Sequence, residues 1–184
     1  MKYVHLIILI GIGVVFSSPL VAGQDDPRLK SLFNNLALSK NADEAQSTEN
    51  LIWNIWLENK NPPVANVMAL GIQAMNAGHL KSALQAFNEV VKLAPTFAEG
   101  WNKRATVYFL LQDFRASVKD IAETLRLEPQ HFGALSGLGL INASLGRHQA
   151  AIQAYEQTLA IHPFAIGARK QIDKLKEILK GEET

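Results

Sequence analysis

Histidine is the side chain best suited to metal or proton chemistry, and this sequence has five: His5, His79, His131, His148 and His162. Zinc ligands on a helix stand four residues apart, so that both imidazoles leave one face. No pair here has that spacing. His131 and His162 fall near the ends of successive segments and can approach one another, but turn and surface positions are expected for them, and no metal. There is no cysteine, which excludes a disulfide framework, a thiolate metal site, a cysteine nucleophile and a lipid-bearing cysteine behind a leader. No Gly-x-Ser-x-Gly, phosphate loop or dinucleotide glycine pattern occurs, and the acidic residues are scattered. No catalytic, cofactor-binding or metal-binding set emerges, and the chain reads as a non-enzyme without cofactor. One polar pair stands apart: Arg104 and Asp120 lie on consecutive amphipathic stretches and are expected to bridge them as a structural pair. The alternative is an arginine offered to a ligand carboxylate.

The elements that carry these residues are announced by punctuation. Pro95, Pro129 and Pro163 recur every 34 residues, closing the phrases Lys92-Leu93-Ala94-Pro95, Arg126-Leu127-Glu128-Pro129 and Ala160-Ile161-His162-Pro163. Proline lacks the helical donor and clashes with the preceding turn, so each phrase ends a helix. A stop at fixed interval marks a stacked supersecondary unit. Two amphipathic stretches fit between successive stops, separated at Ala77-Gly78-His79, Gln112-Asp113 and Leu145-Gly146-Arg147. Period-two alternation and Asn-Gly hairpins are missing, so strands are not expected.

These phrases resemble the tetratricopeptide repeat (TPR). The first shows Leu70-Gly71, Ala83, Phe87 and Pro95; the second Trp101, Ala105, Tyr108 and Pro129; the third Leu138-Gly139, Ala151, Tyr155 and Pro163. The second departs from the pattern with Arg104 where leucine is usual, and with Ser117 and Ile121 in the alanine and aromatic slots. The resemblance implies an all-α, right-handed α-solenoid with repeats at 64–97, 98–131 and 132–165. Gly71, Ala105 and Gly139 then let paired helices approach, and Phe87 and Tyr155 fill the space between repeats.

The flanks read as caps. Residues 24–63 form a helical hairpin: one helix from Asp26-Pro27 with the stripe Leu29, Leu32, Phe33 and Leu36, a second from Ala42 to about Glu58, and a linker at Asn61-Pro62-Pro63. The second helix carries Leu51, Ile52, Trp53, Ile55, Trp56 and Leu57, apolar on most sides. Trp53 and Trp56 are expected to cover the first repeat, with a partner-binding aromatic patch as the alternative. Residues 166–184 give a C-terminal capping helix and tail. Its helix, Phe164 to Lys180, has Ala168, Ile172, Leu175, Ile178 and Leu179 on the apolar side; Ile166 falls off that stripe. Solenoids need such polar-faced ends.

Residues 1–23 run from one positive charge through an apolar stretch to Ser17-Ser18-Pro19 and small residues, the order of a secretory signal peptide. Cleavage is expected near Ala22 or Gly23, giving a periplasmic or secreted protein. The alternative is an uncleaved anchor facing the periplasm, the only route to a membrane. A formal net charge of +1 supplies no global field for nucleic acid.

In the resembled fold, the first helix of each repeat lines a concave face. The lining expected here is Met68, Ile72, Met75, Asn102, Thr106, Phe109, Ser136, Leu140 and Ala143, mostly apolar and uncharged. Some members of the family grip the C-terminal carboxylate of chaperones with lysine, asparagine and arginine. Here Met68, Ile72, Ser136, Gly137 and Leu140 occupy that surface, and Asn102, Lys103 and Arg104 alone do not make a clamp. An apolar lining suits an amphipathic helix or an extended peptide with apolar anchors, unless the chain's own terminal helices fill it. Resemblance to small exported TPR proteins of Gram-negative bacteria, with segments like Ala98-Glu99-Gly100-Trp101-Asn102-Lys103-Arg104-Ala105, implies an interaction scaffold in the cell envelope whose peptide or protein partner is unknown. A membrane-tethered assembly factor and a small-ligand-binding protein or enzyme are the alternatives.

Overall fold

The computed structural model describes residues 23–182; the signal expected before Gly23 lies outside the described residues. After a short 3₁₀ turn at Gly23–Asp25 come α1 (Arg28–Ala37), α2 (Ala42–Leu57), α3 (Pro62–Asn76), α4 (Leu80–Leu93), α5 (Ala98–Leu110), α6 (Phe114–Leu127), α7 (Phe132–Ser144), α8 (His148–Ile161) and α9 (Ile166–Glu182). Helices α3–α4, α5–α6 and α7–α8 pair tightly, and each pair stacks on the next. No strand occurs among the described residues, and none of their helices is long and apolar enough to cross a membrane.

Local chemistry explains the boundaries. Asn41 caps α2 by accepting the Glu44 N–H at 2.9 Å, and Glu44 reaches back to the Lys40 N–H at 3.0 Å, so two orphan donors are satisfied. Asp113 caps α6 through the Ala116 N–H at 3.0 Å. Pro62 and Pro63 do not form the expected linker. They occupy the first positions of α3, where a missing donor costs nothing and the fixed φ suits a helix.

The two helices of the first and third repeats meet through a missing side chain. A Cβ on Gly71 would stand 2.6 Å from the Phe87 ring, and one on Gly139 would stand 2.7 Å from the Tyr155 ring. Each aromatic thus fills the space beside the glycine of its own repeat. Phe87 lies in a core with Val64, Met68, Ala83, Val90, Phe97 and Val107. Tyr155 lies in one with Ala151, Ile152, Ala168, Ile172 and Leu175, which seals α9 onto α8. Burial pushes the Tyr155 hydroxyl up to about 12. On α9, Ile178 sits at the exposed edge instead of in the expected apolar face, and Ile166 is also exposed.

The N-terminal hairpin corrects the sequence-based expectation. It meets the core of the first repeat through Leu57, the last residue of α2, and does not cover that repeat with its indoles; Leu70 on α3 remains 61% exposed. Instead α1 and α2 fold back so that Trp53, Trp56, Leu29, Phe33 and Ile52 pack with Phe132, Ile161 and Phe164 of the third repeat. The physical reason is that two indoles need aromatic faces and acceptors for their N–H groups. The start of α7 supplies the faces, while Glu49 accepts from Trp53 Nε1 at 3.0 Å and Glu128 from Trp56 Nε1 at 3.4 Å. Gln24 adds a tie by donating to the Thr96 carbonyl at 2.5 Å.

The turns between paired helices require a left-handed residue. Gly78 (φ 75°) and Gly146 (φ 68°) supply it in the first and third repeats, whereas Gln112 adopts φ 61° in the second. A side chain there is strained by roughly 1 kcal/mol relative to glycine. Gln112→Gly is therefore expected to raise stability by up to about 1 kcal/mol, read from denaturant unfolding; a loss of stability would contradict this account of the turn.

Candidate functional site

The concave face is divided in two. Its upper part, at the first turns of α5 and α7, is occupied by α2. Trp56 stacks flat on His131, with ring centroids 4.0 Å apart and 7° between planes. Trp53 meets His131 and Phe132 edge-on, at 5.6 and 5.5 Å. It also lies against Gly133, where a Cβ would be 2.6 Å from the indole. Lys103 on α5 places its ammonium 5.2 Å from the centre of the Trp53 ring, within cation–π range.

A buried polar network supports this aromatic stack. His131 Nδ1 accepts the Ala134 N–H at 3.1 Å, so Nε2 carries the hydrogen and donates to Glu99 at 2.9 Å. Glu99 also accepts from Asn102 Nδ2 at 2.9 Å and pairs with Lys103 at 2.8 Å. Burial alone would raise the Glu99 carboxyl, but the His131 hydrogen bond and the Lys103 charge outweigh it and hold the group below the usual carboxylate range. His162, capping the end of α8, meets Glu49 of α2 at 3.2 Å. That contact, opposed by partial burial and helped by the Trp53 N–H, lowers the Glu49 carboxyl as well. Both histidines stand at helix ends in the turns expected for them, but they are buried and not at the surface. Each faces its own glutamate, and no cluster able to hold a metal occurs among the described residues.

Below α2 the face opens into a cavity of about 160 Å³, lined by α5, α6 and α7. Of the residues read from the sequence, Asn102, Thr106, Phe109, Ser136 and Leu140 line it, together with Ala105, Ser117, Ile121, Gly133 and Gly137. Met68 instead belongs to the core of the first repeat, with Ile72 and Met75 packed half-buried against it, and Ala143 packs against the core shared by α8 and α9. Ile121 and Ser117 escaped the sequence reading because they project from the second helix of the repeat. Their occupation of the aromatic and alanine slots of that repeat was the available signal.

The hydroxyls of this cavity are already committed. Thr106 Oγ1 donates to the Asn102 carbonyl at 3.0 Å, Ser117 Oγ to the Ala105 carbonyl at 2.8 Å, and Ser136 Oγ to Thr158 Oγ1 at 3.3 Å. What remains for a ligand is apolar contact with Phe109, Ile121 and Leu140. The volume is near the ~150 Å³ that admits a benzene-sized group.

The cations nearby are taken. Lys103 is paired with Glu99. Arg104 makes two parallel bonds to Asp120, Nε at 2.7 Å and Nη2 at 2.8 Å, and a third to Asn88 at 3.0 Å. The Asp120 hydrogen bonds raise the guanidinium further above its ordinary value, and Trp101 lies 4.8 Å beneath it.

Two outcomes follow. Asp120→Ala should cost about 3 kcal/mol, the low end for breaking a buried pair, because Arg104 keeps Asn88 and Trp101; unfolding at wild-type denaturant concentration would contradict the pairing. The second concerns acid. Glu49 and Glu99 have lowered folded-state values, so their contribution is complete above the ordinary value of 4.5 and is lost as pH falls through the lowered ones. Tryptophan fluorescence should therefore report loosening of α2 as pH falls below about 4.5; an unchanged signal down to the pH at which both carboxylates are protonated would contradict it.

Comparison with known proteins gives one consistent result. Residues 103–166 match the family model described as tetratricopeptide repeat. A TPR repeat-containing protein of Rhizobium etli is 35% identical over 157 residues, covering 85% of this chain and 77% of that protein. Among solved structures, MamA superposes with a TM-score of 0.59 at 26% identity, covering 84% of this chain and 82% of that one. The first TPR of Spaghetti (RPAP3), bound to the HSP90 peptide SRMEEVD, superposes at 0.61 and 20% identity, covering 64% and 93%.

Proposed function

The chain belongs to the tetratricopeptide-repeat family, whose members act as protein–protein interaction scaffolds, and we propose that it is a non-enzymatic adaptor of the cell envelope that seats an apolar side chain of a partner segment in the concave cavity. The observation that carries this reading is the cavity itself. Its wall offers Phe109, Ile121 and Leu140 while every hydroxyl around it is bonded inward. A charged peptide terminus would find no free cation there, since Lys103 and Arg104 are paired within the chain. An apolar anchor loses water and gains contact, the usual source of affinity for a helix or extended peptide in a groove. The solved TPR structure bound to an HSP90 peptide supports peptide binding as a use of this fold, although the chemistry of the lining here differs from a carboxylate clamp.

The envelope address rests on the order of residues at the start of the sequence: a charged residue, an apolar run, then small residues. With export, the mature chain begins near Gly23 or Gln24, and the partner is a protein or peptide of the same compartment. The absence of cysteine is compatible with that compartment.

The test is performed on the exported protein. Its N-terminal sequence should start near Gly23 or Gln24, and crosslinking in cells should capture a defined partner. Phe109→Glu, which puts a charge into the cavity, should reduce that capture at least tenfold while leaving the helical circular dichroism unchanged. Recovery of the same partner at the same yield would overturn the assignment of the cavity, and a sequence starting at Met1 would overturn export with cleavage.

A further inference from the structure

The upper part of the concave face is not empty surface beside the cavity; it is already holding a helix. Helix α2 presents Glu49, Trp53 and Trp56 along one stripe, at the spacing of successive helical turns. Against them stand Lys103 from α5, His131, Phe132 and Gly133 from the start of α7, and His162 after α8. The solenoid side is shaped for these groups. Gly133 leaves the volume that the Trp53 indole enters. His131 is locked flat for Trp56 by its bonds to Ala134 and Glu99. His162 turns one nitrogen toward the Glu49 carboxylate.

Two further facts bear on how permanently α2 sits there. It joins the solenoid through the short segment between Leu57 and Pro62, so its hold benefits from a high effective concentration, not from contacts alone. His162 Nδ1 is buried without a hydrogen-bond partner, so the polar groups around the seat are not fully matched with α2 in place.

Resting on the reading of this protein as an interaction scaffold, we propose that the first turns of α5 and α7 form a receptor for an amphipathic helix with an acid and two aromatic residues spaced as Glu49, Trp53 and Trp56, and that α2 is its resident occupant. A partner helix of that chemistry displaces the hairpin and takes its place on the first turns of α5 and α7, above the cavity, which stays open below it. The apparent affinity of the partner is then its intrinsic affinity multiplied by the fraction of time α2 is undocked, and weakening α2 raises it.

The probe is a fluorescein-labelled synthetic peptide of the Ala42–Leu57 sequence, titrated against full-length protein. Wild type should bind it weakly. The Trp53→Ala/Trp56→Ala protein, whose own α2 can no longer dock, should bind at least tenfold tighter, and Glu49→Gln, which keeps both indoles and the fold, should gain severalfold. Adding Gly133→Leu to the double variant fills the indole seat and should abolish the gain. Phe109→Glu should leave peptide affinity unchanged, which separates this receptor from the cavity. Equal affinity in wild type and Glu49→Gln, or a gain that survives Gly133→Leu, would overturn the proposal.

Discussion

The contact between Trp56 and His131 organises this molecule. His131 is the first residue before α7, and its ring does three things at once. One nitrogen caps the helix through Ala134, the other donates to the buried Glu99 of α5, and the face receives an indole from α2. The second repeat, the third repeat and the N-terminal hairpin are therefore joined through one side chain. Its order depends on full burial, since a partly hydrated imidazole could satisfy its nitrogens with water. Trp56 provides that burial, and the carboxylates of Glu99 and Glu49 each accept from one histidine and from a neighbouring side chain. Removal of the indole should be felt in all three elements, because buried polar networks are held as units.

The remainder of the architecture is more modular. Each repeat closes around an interaction that involves only its own helices: a glycine beneath an aromatic ring in the first and third, and the Arg104–Asp120 bridge with Ser117 against Ala105 in the second. The second repeat thus replaces apolar closure with polar closure. Its first helix lies between the hairpin and the cavity, where Glu99, Asn102 and Lys103 carry the polar half of the α2 contact. Polar closure fixes geometry more sharply than apolar contact does, because its bonds are directional.

How much of this could be read from residues follows from the same division. The repeats were legible because their information is local: Pro95, Pro129 and Pro163 stop helices, Gly78 and Gly146 turn them, and Gly71 and Gly139 admit rings from the same unit. Arg104 and Asp120 were legible because a charge in an apolar slot demands a partner on the facing helix. The seat of the hairpin was not. Trp53 and Trp56 state that α2 must bury two indoles, but the surface that accepts them is built from residues far along the chain, each ordinary in isolation. His131 reads as a turn residue, Gly133 as a helix glycine and His162 as a cap. Only their convergence reveals an aromatic seat. For the same reason the expected groove was partly misplaced: Met68 has helical spacing suited to a lining, yet it packs into the core beside Val64 and Phe87, on the side of α3 that faces α4 and α5.

The central claim is that the two indoles of α2 lie on the second and third repeats and not on the first, which α2 meets through its last residue, Leu57. Hydrogen exchange in a Trp56→Ala protein tests it most directly. The account predicts faster exchange in α2, in the first turn of α7 around Ala134 and at the start of α5, with α3 and α4 unchanged. Faster exchange in α3 with α7 unaffected would place the hairpin on the first repeat and contradict it.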